Sequence, residues 1–202
     1  IGSSSTRAIL FDAAAQPVPG CVAQIANHLQ TSTDGGATFD AAHLLTNVIA
    51  AIDQLLPAAG NLTTQIAGVT IATFVSNVLG VDASGEPVTP VFTYADTRNA
   101  DDADALRTEL GHTGITAAHD RTGCLVHTSY LPARFRWLAR TRPDWLHGSA
   151  YWMSFGEYLL WKLLGQRAVS YSVASWTGLL DRRTLTWDGE PISQFERAPR
   201  HR

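Results

Sequence analysis

The sequence lacks the charge pattern of a protein that binds nucleic acids or membrane surfaces. Its 202 residues contain 15 lysines and arginines against 18 aspartates and glutamates, which gives a formal net charge of −3 at pH 7. No stripe of basic residues is present, although such stripes are what attract phosphate backbones and anionic lipids. We therefore expect neither a nucleic acid nor a membrane as a partner.

Long apolar runs and paired cysteines are also missing. The longest apolar stretches, such as Leu159–Trp161, are far shorter than the roughly 20 residues that cross a bilayer. The two cysteines, Cys21 and Cys124, form no Cys-x-x-Cys motif, and we interpret both as small buried apolar residues. So few cysteines are typical of a reducing compartment, which predicts a cytoplasmic protein. No signal peptide is recognisable, and because the chain starts at Ile1 without a methionine we expect residues upstream.

The residues that are present suffice for a sizeable core. Hydrophobic residues make up 45% of the chain and charged residues 16%, which is typical of a globular protein. All six tryptophans lie between Trp137 and Trp187, so the composition changes near the middle of the chain. We interpret the chain as one α/β domain whose second part is more helical and richer in aromatic residues.

Apolar runs and turn residues predict the order of the elements. The predicted strands are Ala8–Phe11 (buried on both faces), Cys21–Ala26 (after a turn at Pro17–Gly20), Ile66–Phe74, and a hairpin of Asn77–Val81 and Val88–Tyr94 around Asp82–Glu86. The predicted helices are one that begins after Asp40 and ends at Gly60, and then Asp101–Leu110, Leu131–Arg140 and Phe155–Leu164. This order indicates an α/β plan.

The opening segment Gly2–Arg7 could bind phosphate. Small hydroxyl residues and a glycine allow backbone N–H groups and hydroxyls to approach phosphate oxygens closely. The segment lacks the Gly-Lys-Ser/Thr of a Walker P-loop, and an ordinary serine-rich turn is the alternative.

A second polar segment, Tyr94–Asn99, follows a predicted strand. Ligands of open α/β sheets gather at the carboxyl ends of strands, so Asp96 and Arg98 are placed to hold hydroxyl groups. Alternatively, these two residues form a structural ion pair while Asn99 or Asp101 caps the next helix. The residues themselves leave both interpretations open.

Two further segments favour structure over catalysis. His127, within Arg121–Arg134, is more typical of a hydrogen-bonded structural histidine than of a catalytic one. The seven histidines give neither a Ser-His-Asp order nor metal-ligand spacing, so we assign no metal site. The small hydroxyl and aromatic residues of Ser170–Asp181 are typical of tight packing between a helix and a sheet.

The order and spacing of these segments resemble the FGGY carbohydrate kinases. The matching segments are Ile1–Arg7 with Leu10–Asp12, Tyr94-Ala-Asp96-Thr-Arg98 (for the family's Trp-x-Asp-x-Arg), Thr122-Gly123 with Ser129-Tyr130 and Arg134-Phe-Arg-Trp137, Glu157–Gly165, and Ser172–Asp181, the closest match of all. The resemblance predicts an amino-terminal, substrate-side kinase domain over residues 1–190 and a divergent tail over residues 191–202.

This resemblance implies an actin-like, ribonuclease-H-like α/β domain with a mixed sheet flanked by helices. It also implies transfer of the γ-phosphate of ATP, with Mg²⁺, to a hydroxyl of a sugar, polyol or sugar acid, with gluconate as the first expectation. The implied sugar-binding residues are Phe74, Ser76, Asn77, Asp96, Arg98 and Tyr130, and the implied phosphate-binding residues are Gly2, Ser3, Ser4, Ser5 and Thr6.

Several parts of the family pattern are absent from this sequence. The acidic residue and the central first strand are expected before Ile1, and the general-base aspartate and the adenine-binding domain are expected beyond residue 202, so no catalytic residue is assigned here. A carboxyl-terminal kinase domain is therefore an expected partner, and a homodimer is left open. Phe74–Asn77 differs from the Gln-Met-His-Gly of xylulose kinases and the Gln-Arg-Glu of glycerol kinases, which leaves the sugar open. The second hypothesis is a carbohydrate-binding or regulatory module without catalysis.

Overall fold

A computed structural model describes residues 1–188, which form two compact units. The first unit consists of Ile1–Leu29 and Phe39–Phe74, and the second of Gln30–Thr38 and the residues from Val75 onward. The divergent tail predicted over residues 191–202 lies outside the described residues.

Groups of short strands are separated by groups of helices along the chain. The strands are β1 (Ser5–Phe11), β2 (Pro17–Ala26), β3 (Gln30–Thr31), β4 (Ala37–Phe39), β5 (Leu79–Val81), β6 (Val91–Phe92), β7 (Tyr151–Met153), β8 (Leu180–Asp181) and β9 (Thr186–Trp187). The helices are α1 (Ala41–Ala59), α2 (Ala100–Thr122), α3 (Leu131–Thr141), α4 (Pro143–Gly148), α5 (Phe155–Leu164) and α6 (Tyr171–Ser175), with a 3-10 helix at Gly60–Gln65.

In the first unit, α1 packs on one face of the antiparallel hairpin β1–β2. Asp40 caps the helix as predicted, because its Oδ1 accepts a hydrogen bond from the His43 N–H at 2.7 Å. Gly60 ends the helix, also as predicted. Leu44 and Val48 lie on its buried face, at the spacing of an amphipathic helix.

The predicted strand at Ala8–Phe11 is confirmed and begins earlier, at Ser5, but its burial was predicted wrongly. Alternate residues of a strand point to opposite faces, and only one face of β1 packs against α1. On the other face Ile9 and Phe11 are 37% and 52% exposed. The strand is therefore buried on one face among the described residues.

The turn predicted at Pro17–Gly20 is wrong, because these residues belong to β2. The connection lies at Asp12–Gln16 instead, where Asp12 Oδ1 accepts hydrogen bonds from the N–H groups of Ala14 and Gln16, each at 2.9 Å. Ala15 has a φ of 58°, so the turn uses a left-handed residue that is not glycine. The position of the turn is therefore set by hydrogen bonds to the Asp12 side chain and not by the proline and glycine residues that follow.

The predicted strand Ile66–Phe74 is also wrong. These residues form no strand in the described structure, and Val69 is 85% exposed. The amino group of Ile1 donates a hydrogen bond to the Ala72 carbonyl at 2.6 Å, but no strand of residues 1–188 pairs along the segment. An apolar run becomes a strand only where a neighbour satisfies its backbone groups.

In the second unit, the predicted hairpin forms in part. Its turn is confirmed at Asp82–Glu86, where the Asp82 N–H donates to the Glu86 carbonyl at 2.9 Å. Isolated bridges join its two arms, but β5 pairs along its length with β7. Gly80 permits this pairing, since a Cβ atom there would lie 2.0 Å from Ser149 Oγ.

The strands of residues 1–188 are distributed over four small sheets of two or three strands rather than one continuous mixed sheet. The sheets are β1–β2, β3–β4–β6, β5–β7 and β8–β9. The second unit has a hydrophobic core built from residues of several of its elements, namely Val78, Phe92, Phe135, Trp137, Leu138, Leu146, Trp152 and Leu179.

The predicted helices of the second unit are all present. Phe155–Leu164 has the predicted bounds, and α3 extends the predicted helix by one residue. The predicted helix Asp101–Leu110 is the first half of α2, which continues to Thr122 after a kink at Gly111 (φ 59°, ψ −177°). Among the described residues, no helix is both long and apolar enough to cross a membrane.

Helix α5 offers a direct test of local stabilisation. Ser154 and Glu157 form a capping box, in which Ser154 Oγ accepts from the Glu157 N–H and Glu157 Oε2 accepts from the Ser154 N–H. We expect Ser154→Ala to lower the free energy of unfolding by about 1 kcal/mol. Urea denaturation followed by tryptophan fluorescence measures it. The exposed Ser172→Ala is the control, and equal stabilities for the two variants would contradict the assignment.

Candidate functional site

Asp96 lies just after β6 and is the centre of a buried polar cluster. Its side chain is fully buried, at 0% exposure. The Asp96 N–H donates to the Thr93 carbonyl at 3.1 Å, which turns the chain at the end of the strand. Asp96 Oδ2 accepts a hydrogen bond from the Ala37 N–H of β4 at 3.1 Å. The backbone of Asp96 is therefore fixed at the end of β6, and its carboxylate is fixed to β4.

Two arginines neutralise this carboxylate. Arg98 Nε donates to both carboxylate oxygens at 3.1 Å. Arg134, on α3, donates from Nη1 to Asp96 Oδ1 at 2.9 Å and from Nη2 to the Asp96 carbonyl at 2.7 Å. Arg134 is as deeply buried as Asp96, whereas 15% of the Arg98 side chain is exposed. The structural ion pair left open by the sequence is thus formed, with a second arginine added.

Aromatic rings support both guanidinium groups. The Arg98 Cζ lies 4.9 Å from the ring centroid of Trp137, and the Arg134 Cζ lies 5.0 Å from that of Phe92. Arginine is stabilised over an aromatic face because the ring quadrupole attracts its charge. Arg134 and Trp137 are three residues apart on α3, a spacing that places them on one face of the helix.

The electrostatics of the cluster favour the ionised carboxylate. Burial opposes ionisation of Asp96, but the hydrogen bond from Arg98, the charge of Arg134 and the Ala37 N–H together hold its pKa below the usual 3.8. Burial lowers the pKa of Arg134, and Asp96 opposes that shift. Two guanidinium groups share one carboxylate, so the three side chains carry a formal charge of +1. Arg98 is the member of the cluster that a ligand can reach.

A second contact ties this segment to the loop that carries Tyr130. Asn99 is buried, and its Nδ2 donates to the Thr128 carbonyl at 2.9 Å, while its Oδ1 has no partner among the described residues. The predicted capping of α2 by Asn99 is not observed, because its side chain makes no capping hydrogen bond. Together with the Asp96–Arg134 pair, this bond joins the end of β6 to residues 128–134.

Tyr130 lines a cavity of about 90 Å³ that Asp96 and Arg98 do not line. The cavity lies beside the kink of α2, and its lining is mostly apolar, with Leu106, Leu110, Leu125, Val126, Pro132 and Ala133 among its residues. Burial and the neighbouring Cys124 raise the pKa of Tyr130. Among the predicted sugar-binding residues, the cavity is thus lined by Tyr130 and not by Asp96 or Arg98.

The segment Phe74–Asn77 is divided between the two units. In the first unit, the buried ring of Phe74 packs against Phe39 with a centroid distance of 5.4 Å. In the second unit, Asn77 Oδ1 accepts a hydrogen bond from the Phe155 N–H at 2.6 Å, so that Asn77 supports the start of α5. Ser76 has a φ of 49°, a left-handed conformation that is uncommon outside glycine. Such conformations cluster at functional sites in proteins.

The predicted phosphate-binding turn, Gly2–Thr6, is organised by Asn27. Asn27 Nδ2 donates to the Gly2 carbonyl at 2.8 Å, and Thr6 Oγ1 donates to Asn27 Oδ1 at 3.1 Å. Ser5 and Thr6 are buried in β1, whereas Ser3 and Ser4 are exposed. The side chains of this turn that a ligand could contact are therefore those of Ser3 and Ser4.

Two residues of these clusters were missed as site residues. Arg134 was visible only as part of the Arg-x-x-Trp spacing on α3, and its link to Asp96 spans 38 positions. Asn27 could be suspected from Asn47, a polar residue on the buried face of α1, whose Nδ2 donates to Asn27 Oδ1 at 3.0 Å. Within residues 1–188, no group of three His, Cys, Asp or Glu side chains is placed to hold a metal ion.

We expect Asp96→Asn to lower the free energy of unfolding by about 3 kcal/mol at neutral pH, because it removes the carboxylate that pairs directly with buried Arg134. The depressed pKa of Asp96 adds stability above pH 3.8 that is lost as the pH falls through the folded-state pKa. The difference between the two proteins should therefore shrink below pH 3.8. Urea denaturation at several pH values measures both effects.

The control is Asp104→Asn, which removes an exposed ion pair with Arg107 and should change stability little. A stability difference between wild type and Asp96→Asn that stays constant from pH 7 to pH 3 would show that the carboxylate charge is not the stabilising feature.

Comparison with known proteins connects these features to one family. The family model described as "FGGY family of carbohydrate kinases, N-terminal domain" matches residues 1–200. The gluconokinase of Bacillus licheniformis is 25% identical over 202 residues, which cover 100% of this chain and 38% of that protein. The chain thus spans about two fifths of the length of such relatives.

Solved structures agree in fold. The crystal structure of xylulose kinase from Rhodospirillum rubrum matches with a TM-score of 0.87 and 26% identity, over 95% of this chain and 39% of that one. Gluconate kinase from Lactobacillus acidophilus matches with a TM-score of 0.81 and 20% identity, over 98% of this chain and 39% of that one. The fold class predicted from the sequence, an actin-like ATPase domain, is confirmed. The chain belongs to the FGGY family of carbohydrate kinases and forms its amino-terminal domain.

Proposed function

We propose that this chain is the sugar-binding half of a kinase that transfers the γ-phosphate of ATP to a hydroxyl of a sugar, polyol or sugar acid. The observation that carries the proposal is the family match over residues 1–200. Relatives named as gluconokinase, xylulose kinase and glycerol kinase support this substrate class. Gluconate is the first candidate, because a gluconokinase matches the whole length of the chain.

In this proposal Arg98 binds the sugar and Asp96 orients Arg98. The Asp96 oxygens already accept hydrogen bonds from Ala37, Arg98 and Arg134, so the carboxylate acts through its neighbours. The exposed edge of Arg98 donates hydrogen bonds to hydroxyl or carboxylate oxygens. A partly buried donor rejects ligands that leave it unpaired, which gives selectivity for polyhydroxy compounds.

The proposed sugar-binding set also contains Tyr130, Ser76, Asn77 and Phe74. Ser76 and Asn77 are partly exposed, as is Tyr130. We propose that Tyr130 contacts one hydroxyl of the sugar from the loop that Asn99 joins to the end of β6. These assignments rest on the family resemblance of the segments and on their partial exposure.

ATP, when bound, supplies the phosphoryl group. The exposed hydroxyls of Ser3 and Ser4, with Gly2, suit the approach of phosphate oxygens, and Asn27 holds the turn in place. Mg²⁺ is the proposed metal, since it usually takes one or two carboxylates and otherwise phosphate oxygens and water. Phosphoryl transfer depends mainly on positioning and charge neutralisation, which is the role proposed for this half.

We propose that a carboxyl-terminal half supplies the general base and the adenine site, and that the complete kinase works in the cytoplasm. A catalytic base typically contributes about 10²–10⁴-fold to rate. The second candidate function is a non-catalytic carbohydrate-binding or regulatory module, which keeps the sugar contacts without the transfer reaction.

We expect this chain alone to give no measurable sugar-dependent ADP release with gluconate, xylulose, ribulose or glycerol. A coupled ADP assay compares it with a version extended at both ends by its natural flanking residues. Turnover by the extended version alone supports the kinase half, and turnover by neither favours the binding module. Equal turnover by both would show that the catalytic residues lie within residues 1–202.

We expect Arg98→Lys to weaken gluconate binding by roughly tenfold, because lysine keeps the charge but loses the planar donor pair. Saturation-transfer NMR and calorimetry with this chain measure the affinity. Arg183→Lys is the matched control, since Arg183 is exposed and pairs with exposed Asp120. Unchanged affinity for Arg98→Lys, in a variant that stays folded, would remove Arg98 from the sugar-binding set.

A further inference from the structure

The loop that carries Tyr130 rests on the segment Ser172–Asp181. The Leu131 N–H donates a hydrogen bond to the Thr177 carbonyl at 2.9 Å. Gly178 follows with a φ of +76°, and a Cβ atom there would lie 3.2 Å from Tyr130 Cβ and 3.4 Å from Pro132 Cδ. A side chain at residue 178 would therefore be strained by its backbone and would press directly on Tyr130.

Cys124 also lies beside Gly178. A Cβ atom at Gly178 would lie 3.7 Å from the Cys124 Cβ, and Cys124 is buried. The Cys124 thiol donates to the Ser175 carbonyl at 3.1 Å, and Cys124 and Tyr130 line the same cavity. Gly178 is therefore packed near both residues, and a hydrogen bond ties Cys124 to the segment Ser172–Asp181.

We propose that Gly178 and Cys124 are positioning residues that fix the place of the Tyr130 side chain. The inference rests on the proposed function, in which Tyr130 contacts the sugar. A phenol hydroxyl can donate or accept a hydrogen bond, so its place decides which group of the ligand it contacts. Held in place by these two residues, the Tyr130 hydroxyl meets one hydroxyl of the sugar.

The first test compares two glycines with similar backbones. Gly165 has a φ of +67°, and a Cβ atom there would meet no neighbouring atom of residues 1–188 within 4 Å, so Gly165→Ala introduces similar backbone strain without touching Tyr130. Both variants are prepared with ¹³Cζ-labelled tyrosine, and the Tyr130 resonance is assigned with Tyr130→Phe. We expect Gly178→Ala to shift this resonance and to weaken gluconate binding about fivefold, while Gly165→Ala does neither.

The second test removes the sulfur. Burial raises the pKa of Tyr130 first of all, and the neighbouring Cys124 raises it further. We therefore expect Cys124→Ala to lower the Tyr130 pKa toward 10, measured from the same ¹³Cζ signal against pH. Cys124→Ser keeps a donor and an acceptor and should restore the resonance and the affinity, and Cys21→Ala is the control.

The outcomes separate this inference from the proposed function. If Tyr130→Phe leaves sugar affinity unchanged, Tyr130 is not a sugar-binding residue, and the positioning roles are still decided by the tyrosine signal. If the Tyr130 resonance and pKa are unchanged in both Gly178→Ala and Cys124→Ala, the positioning inference is wrong. Movement of the signal in both, with controls unchanged, supports it.

Discussion

The buried carboxylate of Asp96 is the interaction on which the rest of the second unit depends. It accepts hydrogen bonds from Ala37 of β4, from Arg98 in its own loop and from Arg134 of α3. Removing one partner from a buried charge cluster lowers the stability of the fold, because the remaining charges stay desolvated without compensation. One side chain thus fixes a strand, a loop and a helix relative to one another, and the aromatic core closes around them.

This arrangement makes the structural and functional interpretations of Asp96 compatible. The ion pair that stabilises the fold also sets the direction in which Arg98 presents its exposed edge. A guanidinium group held by a carboxylate and an aromatic face loses little further freedom when a ligand binds. Under the proposed function, the charge that recognises the sugar is oriented before the sugar arrives.

The parts of the fold that could be predicted from the sequence are those set by local interactions. Helix α5 begins at a serine cap and ends at a glycine, so its bounds follow from ten or so consecutive residues. The strand expected at Ile66–Phe74 failed because strand formation depends on a partner distant in the chain. The Asp96–Arg98 pair lies within three residues and was one of two open interpretations, whereas Arg134 enters from 38 positions away.

The segment Ser172–Asp181 resembles the family most strongly, but it contains none of the residues proposed to bind sugar or phosphate. Its contacts with the Tyr130 loop and its surroundings are structural, and include a carbonyl that accepts from Leu131, a glycine next to Tyr130 and a carbonyl that accepts from Cys124. A polar residue that must meet a ligand within a fraction of an ångström depends on the residues behind it. A Cβ atom at Gly178 would lie 3.2 Å from the Tyr130 Cβ, so Tyr130 would have to shift if residue 178 carried a side chain. The placement of Tyr130 therefore depends on a residue that has no side chain.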